Sequence, residues 1–177
     1  MIMKKKLSCF LLLLIATPFY TLSATNYNVN MMDLTSKELI GDITISSSKF
    51  GTVFTPNLID LPSGLHGFHI HEKGSCDPKI SDDKGVKILA GSAGGHYDPD
   101  NTKKHGFPWT LDNHKGDLPP LYVDQYGDAL VPVLAPRLNI DEIKGKSIII
   151  HAHGDNHSDI PKLLGGSGER IACGIIN

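Results

Sequence analysis

The sequence predicts an all-β domain, a sandwich or barrel, and three observations carry that expectation. Short β-branched runs with period-two alternation recur along the chain. Gly, Pro, Asn and Asp punctuate them, and no helical period is sustained over ten or more residues. Tyr27 to Met31 alternates apolar residues with asparagine, and Leu39 to Ile45 and Thr52 to Leu58 are rich in Ile, Val and Thr. Leu65 to His71 alternates histidine with Phe68 and Ile70. The second half offers Leu121 to Val123, Ala129 to Leu134, Ser147 to His151 and Ile171 to Ile176. Turn chemistry in Gln125-Tyr126-Gly127-Asp128 predicts a hairpin between two of them. Residues 72–120 and 152–168 carry no apolar period and read as two long functional loops.

The first 24 residues stand outside that pattern. Lys4, Lys5 and Lys6 precede an apolar run from Leu7 to Tyr20, and Ser23-Ala24 offers a small-residue cleavage point. This is the layout of a secretory signal peptide, so residues 1–24 are expected to be removed and residues 25–177 to form a single domain. At about fourteen residues, interrupted by Pro18, the run is short of the ~20 that cross a bilayer, and no membrane attachment is expected after cleavage. Removal leaves fourteen Lys/Arg against nineteen Asp/Glu, so the formal charge moves from −2 to −5. Such a balance argues against nucleic acid as a partner. Cys9 leaves with the leader, and Cys76 and Cys173 remain. An even pair in an exported chain reads as one disulfide, with two unpaired buried thiols as the alternative. Closing a loop of that length is worth about 4.7 kcal/mol in the chain-entropy picture.

Nine histidines against a single Trp are the unusual feature of the composition. His69 and His71 stand two apart on an expected strand, so both rings point to one face while Phe68 and Ile70 point to the other. His66 has the parity of Phe68 and Ile70 and is expected to be structural. In the first long loop His96, His105 and His114 recur at nine-residue intervals, with Asp117 three residues on. Three imidazoles and a carboxylate form a closed set for tetrahedral zinc, which leaves no position for water and therefore pins the loop. His151 ends the run Ile148-Ile149-Ile150 and adds a third imidazole to His69 and His71. A fourth nitrogen would complete the tetragonal arrangement that Cu(II) prefers. Seven candidates fill two four-ligand sites only when one residue is shared, and a histidine can bridge through its two ring nitrogens.

These residues resemble the copper/zinc superoxide dismutases, in particular their bacterial exported branch. The resemblance lies in Gly64-Leu65-His66-Gly67-Phe68-His69-Ile70-His71, Gly94-Gly95-His96-Tyr97-Asp98-Pro99, Lys104-His105-Gly106 and His114-Lys115-Gly116-Asp117-Leu118. It continues in Ile149-Ile150-His151 and Gly168-Glu169-Arg170-Ile171-Ala172-Cys173-Gly174. It implies copper on His69, His71, His96 and His151, and zinc on His96, His105, His114 and Asp117, with His96 as the bridge. It implies that Asp155 links a copper-bound and a zinc-bound histidine, that Cys76 pairs with Cys173, and that Arg170 guides the anion. The implied fold is a flattened eight-stranded Greek-key β-barrel, a sandwich of immunoglobulin-like character.

The activity implied is dismutation of superoxide to oxygen and hydrogen peroxide, with copper cycling between Cu(II) and Cu(I) and His96 handling a proton. The implied compartment is the periplasm. A non-catalytic copper/zinc-binding or delivery domain is the competing reading, but storage has no need of Arg170. A hydrolytic zinc enzyme is disfavoured because the zinc set is closed. Lys162 in the second loop is a further candidate cation. His153 shares strand parity with His151 and stands as a competing ligand, while His157 has no assigned role. Strand faces that would form a homodimer are not separable from the core by pattern.

Overall fold

Alternation decides the first strands. In β1 (Asn26–Asp33) Val29 and Met31 are buried while Asn26, Asn28 and Asn30 face outward. In β2 (Leu39–Ser48) and β3 (Gly51–Leu58), Ile43, Ile45, Phe54 and Leu58 are fully buried. The computed structural model describes residues 26–82 and 85–177, and the expected leader over residues 1–24 lies outside the described residues. Further along are β4 (Gly64–His66), β5 (Phe68–His71), β6 (Lys79–Ile80), β7 (Lys87–Ile88), β8 (Leu121–Val123), β9 (Val133–Ala135), β10 (Ser147–His151) and β11 (Arg170–Ile175). Helix is limited, among the described residues, to the one-turn 3-10 segments Gly91–Ala93, Ile140–Glu142 and Leu164–Gly166.

Seven strands form one antiparallel sheet in the order β5-β10-β11-β1-β2-β3-β9, and β4 pairs with β8. The segment expected as one strand, Leu65 to His71, is two strands interrupted at Gly67. There the Gly67 N–H donates to the His153 carbonyl (2.8 Å) and the Gly67 carbonyl accepts from the His151 N–H (2.9 Å). A Cβ at Gly67 would collide with the Ser167 side chain, so the position must be bare for the chain to change partners there. Counting β4 and β5 as one interrupted strand and setting the β6–β7 ribbon aside leaves eight strands. They curl into the flattened barrel that the resemblance implies, with β3 beside β9 and not beside its sequence neighbour β4.

Three local differences have simple causes. The ladder expected from Ala129 begins at Val133, with only an isolated bridge from Ala129 to Leu58, because Pro132 has no N–H to donate. The turn after β8 forms, with the Asp124 carboxylate accepting from the Tyr126 and Asp128 N–H groups at 2.8 and 3.0 Å. It joins two sheet edges and closes no hairpin ladder, since β8 pairs with β4 and β9 with β3. The β6–β7 ribbon inside the first long loop has two residues per strand, too few for alternation to register.

The barrel core gathers Val29, Ile43, Phe54, Phe68, Ile70, Ile148 and Ile150, and Phe54 meets Phe68 edge-on at 5.7 Å. A second, smaller cluster lies on the outer face of the sheet, where Ile149 and Cys173 pack with Leu34, Ala90 and Ala93. Here Cys76 and Cys173 form the expected disulfide, with a Cα–Cα distance of 5.8 Å, and it ties the loop after β5 to β11. Replacing Phe54 with Ala should lower the unfolding free energy of the metal-free protein by about 3–5 kcal/mol. Denaturant titration measures it, with the slope unchanged; a loss under about 1 kcal/mol would contradict the packing described.

Candidate metal centre

The alternation that buries Phe68 and Ile70 sends His69 and His71 to the opposite face of β5. In β10 the same parity separates Ile148 and Ile150 in the core from Ile149 and His151 outside it, and Ile149 pairs with His69. The free edge of β5 is then filled by the first long loop. Ile70 donates its N–H to Gly116 (3.0 Å) and accepts from Tyr97 (2.8 Å), and Leu118 donates to Phe68 (3.3 Å). His71 thereby bridges to His96 and His69 to Asp117. A Cβ at Gly116 would strike the Ile70 carbonyl, so this close approach requires glycine.

Four imidazoles, those of His69, His71, His96 and His151, meet there, all buried, with one ring nitrogen of each within 4.8 Å of the others. The His71 Nδ1 lies 3.0 Å from the Gly94 carbonyl and the His151 Nδ1 lies 3.1 Å from the Gly168 carbonyl. The His69 Nε2 lies 2.6 Å from Asp155 Oδ2. Each acceptor holds the ring proton on one nitrogen and leaves a lone pair on the other. Those others, His71 Nε2, His151 Nε2 and His69 Nδ1, are buried with no hydrogen-bond partner among the described residues. Buried polar atoms are normally paired, and converging unpaired nitrogens fit a nitrogen-ligated copper ion.

The second group converges on one oxygen. Asp117 Oδ1 lies 2.8 Å from His96 Nδ1, 3.0 Å from His105 Nδ1 and 3.4 Å from His114 Nδ1. Its Oδ2 accepts from the Gly106 N–H (2.9 Å) and from Asn113 Nδ2 (3.2 Å), so the carboxylate is held from behind. His69, His96, His105 and Asp117 each place a donor atom within 4.8 Å of the others, a grouping that includes His69 and not His114, whose Nδ1 lies 3.4 Å from Asp117 Oδ1. Three nitrogens facing one carboxylate oxygen fit tetrahedral zinc. His96 belongs to both groups, with Nδ1 toward Asp117 and Nε2 left for the other set. Asp155 joins the groups from outside, its Oδ1 lying 2.8 Å from His105 Nε2 while its Oδ2 meets His69.

Beside these side chains lies an open cleft of about 470 Å³ lined by His71, His96, His151, Arg170, Lys162 and His153. Arg170 is not paired with its neighbour Glu169. It donates to the Ala90 and Gly94 carbonyls at 2.5 and 2.7 Å, which aims the guanidinium at the cleft. His153 is exposed on the cleft wall and is not part of the four-imidazole group. His66 is structural, as its parity predicts, with its two ring nitrogens each 2.7 Å from the His151 and Pro62 carbonyls. His157 lies parallel to the His105 ring at 6.4 Å and against Phe107 at 5.3 Å. Asn113 and the Gly94 and Gly168 carbonyls were missed by sequence reasoning, since backbone acceptors and an amide beside a histidine leave no pattern.

The electrostatics separate the two groups. Burial, together with the neighbouring His96, holds His69 and His71 well below the ordinary imidazole range. Burial likewise brings His151 down to about 4, so these rings are neutral at neutral pH and ready to ligate. Burial would raise Asp117, but the bonds from His105, His114 and His96 outweigh it and hold the carboxyl far below its usual range. Asp155 is lowered in the same way by His105 and His69. Burial would lower His105, yet its two carboxylate partners push it up to about 9.

Comparison with known proteins agrees with this geometry. The family model described as "Copper/zinc superoxide dismutase (SODC)" matches residues 39–176. The Superoxide dismutase [Cu-Zn] of Photobacterium leiognathi is 58% identical over 153 residues, covering 86% of this chain and 87% of that protein. The solved Cu/Zn superoxide dismutase from Brucella abortus superposes with a TM-score of 0.83 at 41% identity, over 86% of this chain and 100% of that one. The monomeric copper, zinc superoxide dismutase from Salmonella enterica gives a TM-score of 0.76 at 48% identity, with the same coverage.

His105 generates a proton count. At pH 7 the metal-free ring is charged, because its pKa lies near 9, and a zinc ligand must be neutral. Zinc alone, added to metal-free protein at pH 7, should therefore release about one proton, read by calorimetry in buffers of different ionisation enthalpy. The release should vanish as pH rises through about 9. A count that stays constant from pH 7 to 10 would contradict the pairing of His105 with both carboxylates.

Proposed function

Because the chain belongs to the copper/zinc superoxide dismutase family, we propose that the residues gathered above divide that family's work as follows. The activity is dismutation of superoxide to oxygen and hydrogen peroxide by copper with zinc beside it. Copper is held by His69, His71, His96 and His151, and zinc by His96, His105, His114 and Asp117. Bound copper supplies the one-electron couple that both oxidises and reduces superoxide, while zinc supplies no redox chemistry.

The chain's own residues do the rest. Arg170, pinned by two main-chain carbonyls, presents a permanent positive charge to the small anion and orients it beside the Nε2 atoms of His71 and His151. His96 would carry a proton at its cleft-facing nitrogen only while that nitrogen is free of copper, and would give it to the oxygen that becomes peroxide, the second proton coming from water. Asp117 fixes the other nitrogen of that ring and so sets which atom can carry the proton. Asp155 holds both the His69 ring (2.6 Å) and the His105 ring (2.8 Å), so a disturbance in one group is felt in the other. The observation that carries this reading is the set of buried, unpartnered nitrogens on His69, His71 and His151 next to a fixed guanidinium.

The proposal extends to compartment. The Cys76–Cys173 disulfide and the bacterial relatives support an exported enzyme, and residues 1–24 are proposed as its leader and the periplasm as its destination.

Stripping copper from mature protein should abolish superoxide consumption while zinc content is retained, and copper alone should restore it. Activity that survives copper removal, checked by metal analysis, would sink the assignment. Replacing Arg170 with Ala should leave both metals bound, slow superoxide consumption by roughly tenfold or more, and weaken inhibition by competing anions. An unchanged rate would reduce Arg170 to a structural donor for Ala90 and Gly94.

A further inference from the structure

A second cleft, of about 440 Å³, opens on the other side of His96. It shares His96, Leu163 and Leu164 with the cleft that holds Arg170, so these residues form the wall between the two. Their charges are opposite. The first cleft is lined by Arg170 and Lys162 and by no carboxylate. The second is lined by Glu72, Asp98 and Asp159, with Lys103 as its one cation.

His114 is among the residues that line the second cleft. Its Nδ1 is buried and turned toward Asp117 Oδ1 at 3.4 Å with no aligned hydrogen bond, and its side chain is 10% exposed while those of Asp117 and His105 are fully buried. Among the zinc-group side chains, this imidazole is the one a cation arriving from solvent meets first. The wall carboxylates differ in what they already do. Asp98 accepts from the Thr102 and Lys103 N–H groups, and Asp159 from those of His105 and Leu164, so both also hold loops. Glu72 is exposed and makes no side-chain hydrogen bond or ion pair among the described residues; its N–H donates to the Gly95 carbonyl (3.1 Å), one residue before His96. An exposed carboxylate and the one partly exposed imidazole of the zinc group thus line the same cleft, where a divalent cation can meet both.

We propose that this acidic cleft is a docking and loading site for Zn²⁺, with Glu72 capturing the hydrated ion and His114 as the first ligand to bind it, and that zinc does not pass through the basic cleft. The inference rests on the zinc assignment to His96, His105, His114 and Asp117. It adds a direction of approach and a role for Glu72. The physical basis is that a cleft lined by one sign of charge raises the local concentration of the opposite ion, whereas Arg170 and Lys162 repel a dication from theirs.

The test is the rate of Zn²⁺ uptake by the full mature chain, disulfide intact and zinc removed by chelation. It is followed by stopped-flow competition with a chromophoric chelator. Glu72→Gln should slow uptake about fivefold at low ionic strength, from the loss of one unit charge acting on a dication at close range. The difference should shrink toward nothing near 1 M salt, where the Debye length is about 3 Å. Lys162→Gln, on the far cleft, should leave the zinc rate unchanged. Final zinc stoichiometry should stay at wild type in both variants. Equal rates for Glu72→Gln and wild type, or faster uptake in Lys162→Gln, with full stoichiometry in each, would overturn the route. Failure of the ligand assignment is separately visible, as His114→Ala would then keep full zinc stoichiometry.

Discussion

The free edge of β5 is the feature on which the metal centre depends. An edge strand presents unpaired N–H and C=O groups, and proteins cover such edges or risk pairing with another chain. Here the cover is a loop from the same chain, seated by the hydrogen bonds of Ile70 with Gly116 and Tyr97 and of Leu118 with Phe68. Because the cover pairs in register, His96 arrives beside His71 and Asp117 beside His69. The two histidine groups are therefore built by ordinary sheet pairing, with side chains from strands on one side and from loop residues on the other. The Cys76–Cys173 bond and the Arg170 contacts with Ala90 and Gly94 hold the start of the same loop from the opposite end.

Placing so many imidazoles together has an electrostatic consequence that the two carboxylates resolve. Burial and mutual repulsion keep His69, His71 and His96 from holding a second proton, so they cannot stabilise one another by charge. Asp117 and Asp155 instead anchor the rings through short contacts at 2.6–3.0 Å, and each serves histidines of different chain segments. The carboxylates also fix ring orientation, which side-chain packing alone would leave free to flip. Preorganisation of this kind is needed if the ligands are to meet an ion without rearranging.

How much of this was legible in the sequence follows from the range of each interaction. Strand parity is local, so the outward placement of His69 and His71 and the structural role of His66 could be read directly. The nine-residue spacing of His96, His105 and His114 pointed to one ion, although the structure brings them together through Asp117 and the β5 edge and not through any helix or turn periodicity. Asp155 was available through the resemblance alone, because its partners lie 50 and 86 residues away and its own neighbours Gly154 and Asn156 spell an ordinary turn. The break at Gly67 escaped alternation because the glycine's reason for being there, the Ser167 side chain, is a hundred residues distant. Backbone acceptors such as Gly94 and Gly168 carry no side-chain signal at all.

Net charge was the least informative quantity, and the structure gives the reason. The formal charge of −5 carried by residues 25–177 would repel superoxide if it were spread evenly. The charges are sorted instead, with Arg170 and Lys162 on one side of His96 and Glu72, Asp98 and Asp159 on the other. A Debye length of about 8 Å at physiological ionic strength means that each approaching ion responds to the cleft it faces more than to the sum over the molecule. One imidazole can thus stand between an anion path and a cation path. Placing the two paths on opposite sides of His96 also keeps the carboxylates that would draw Zn²⁺ away from the guanidinium, where they would pair with it and cancel the field that superoxide follows.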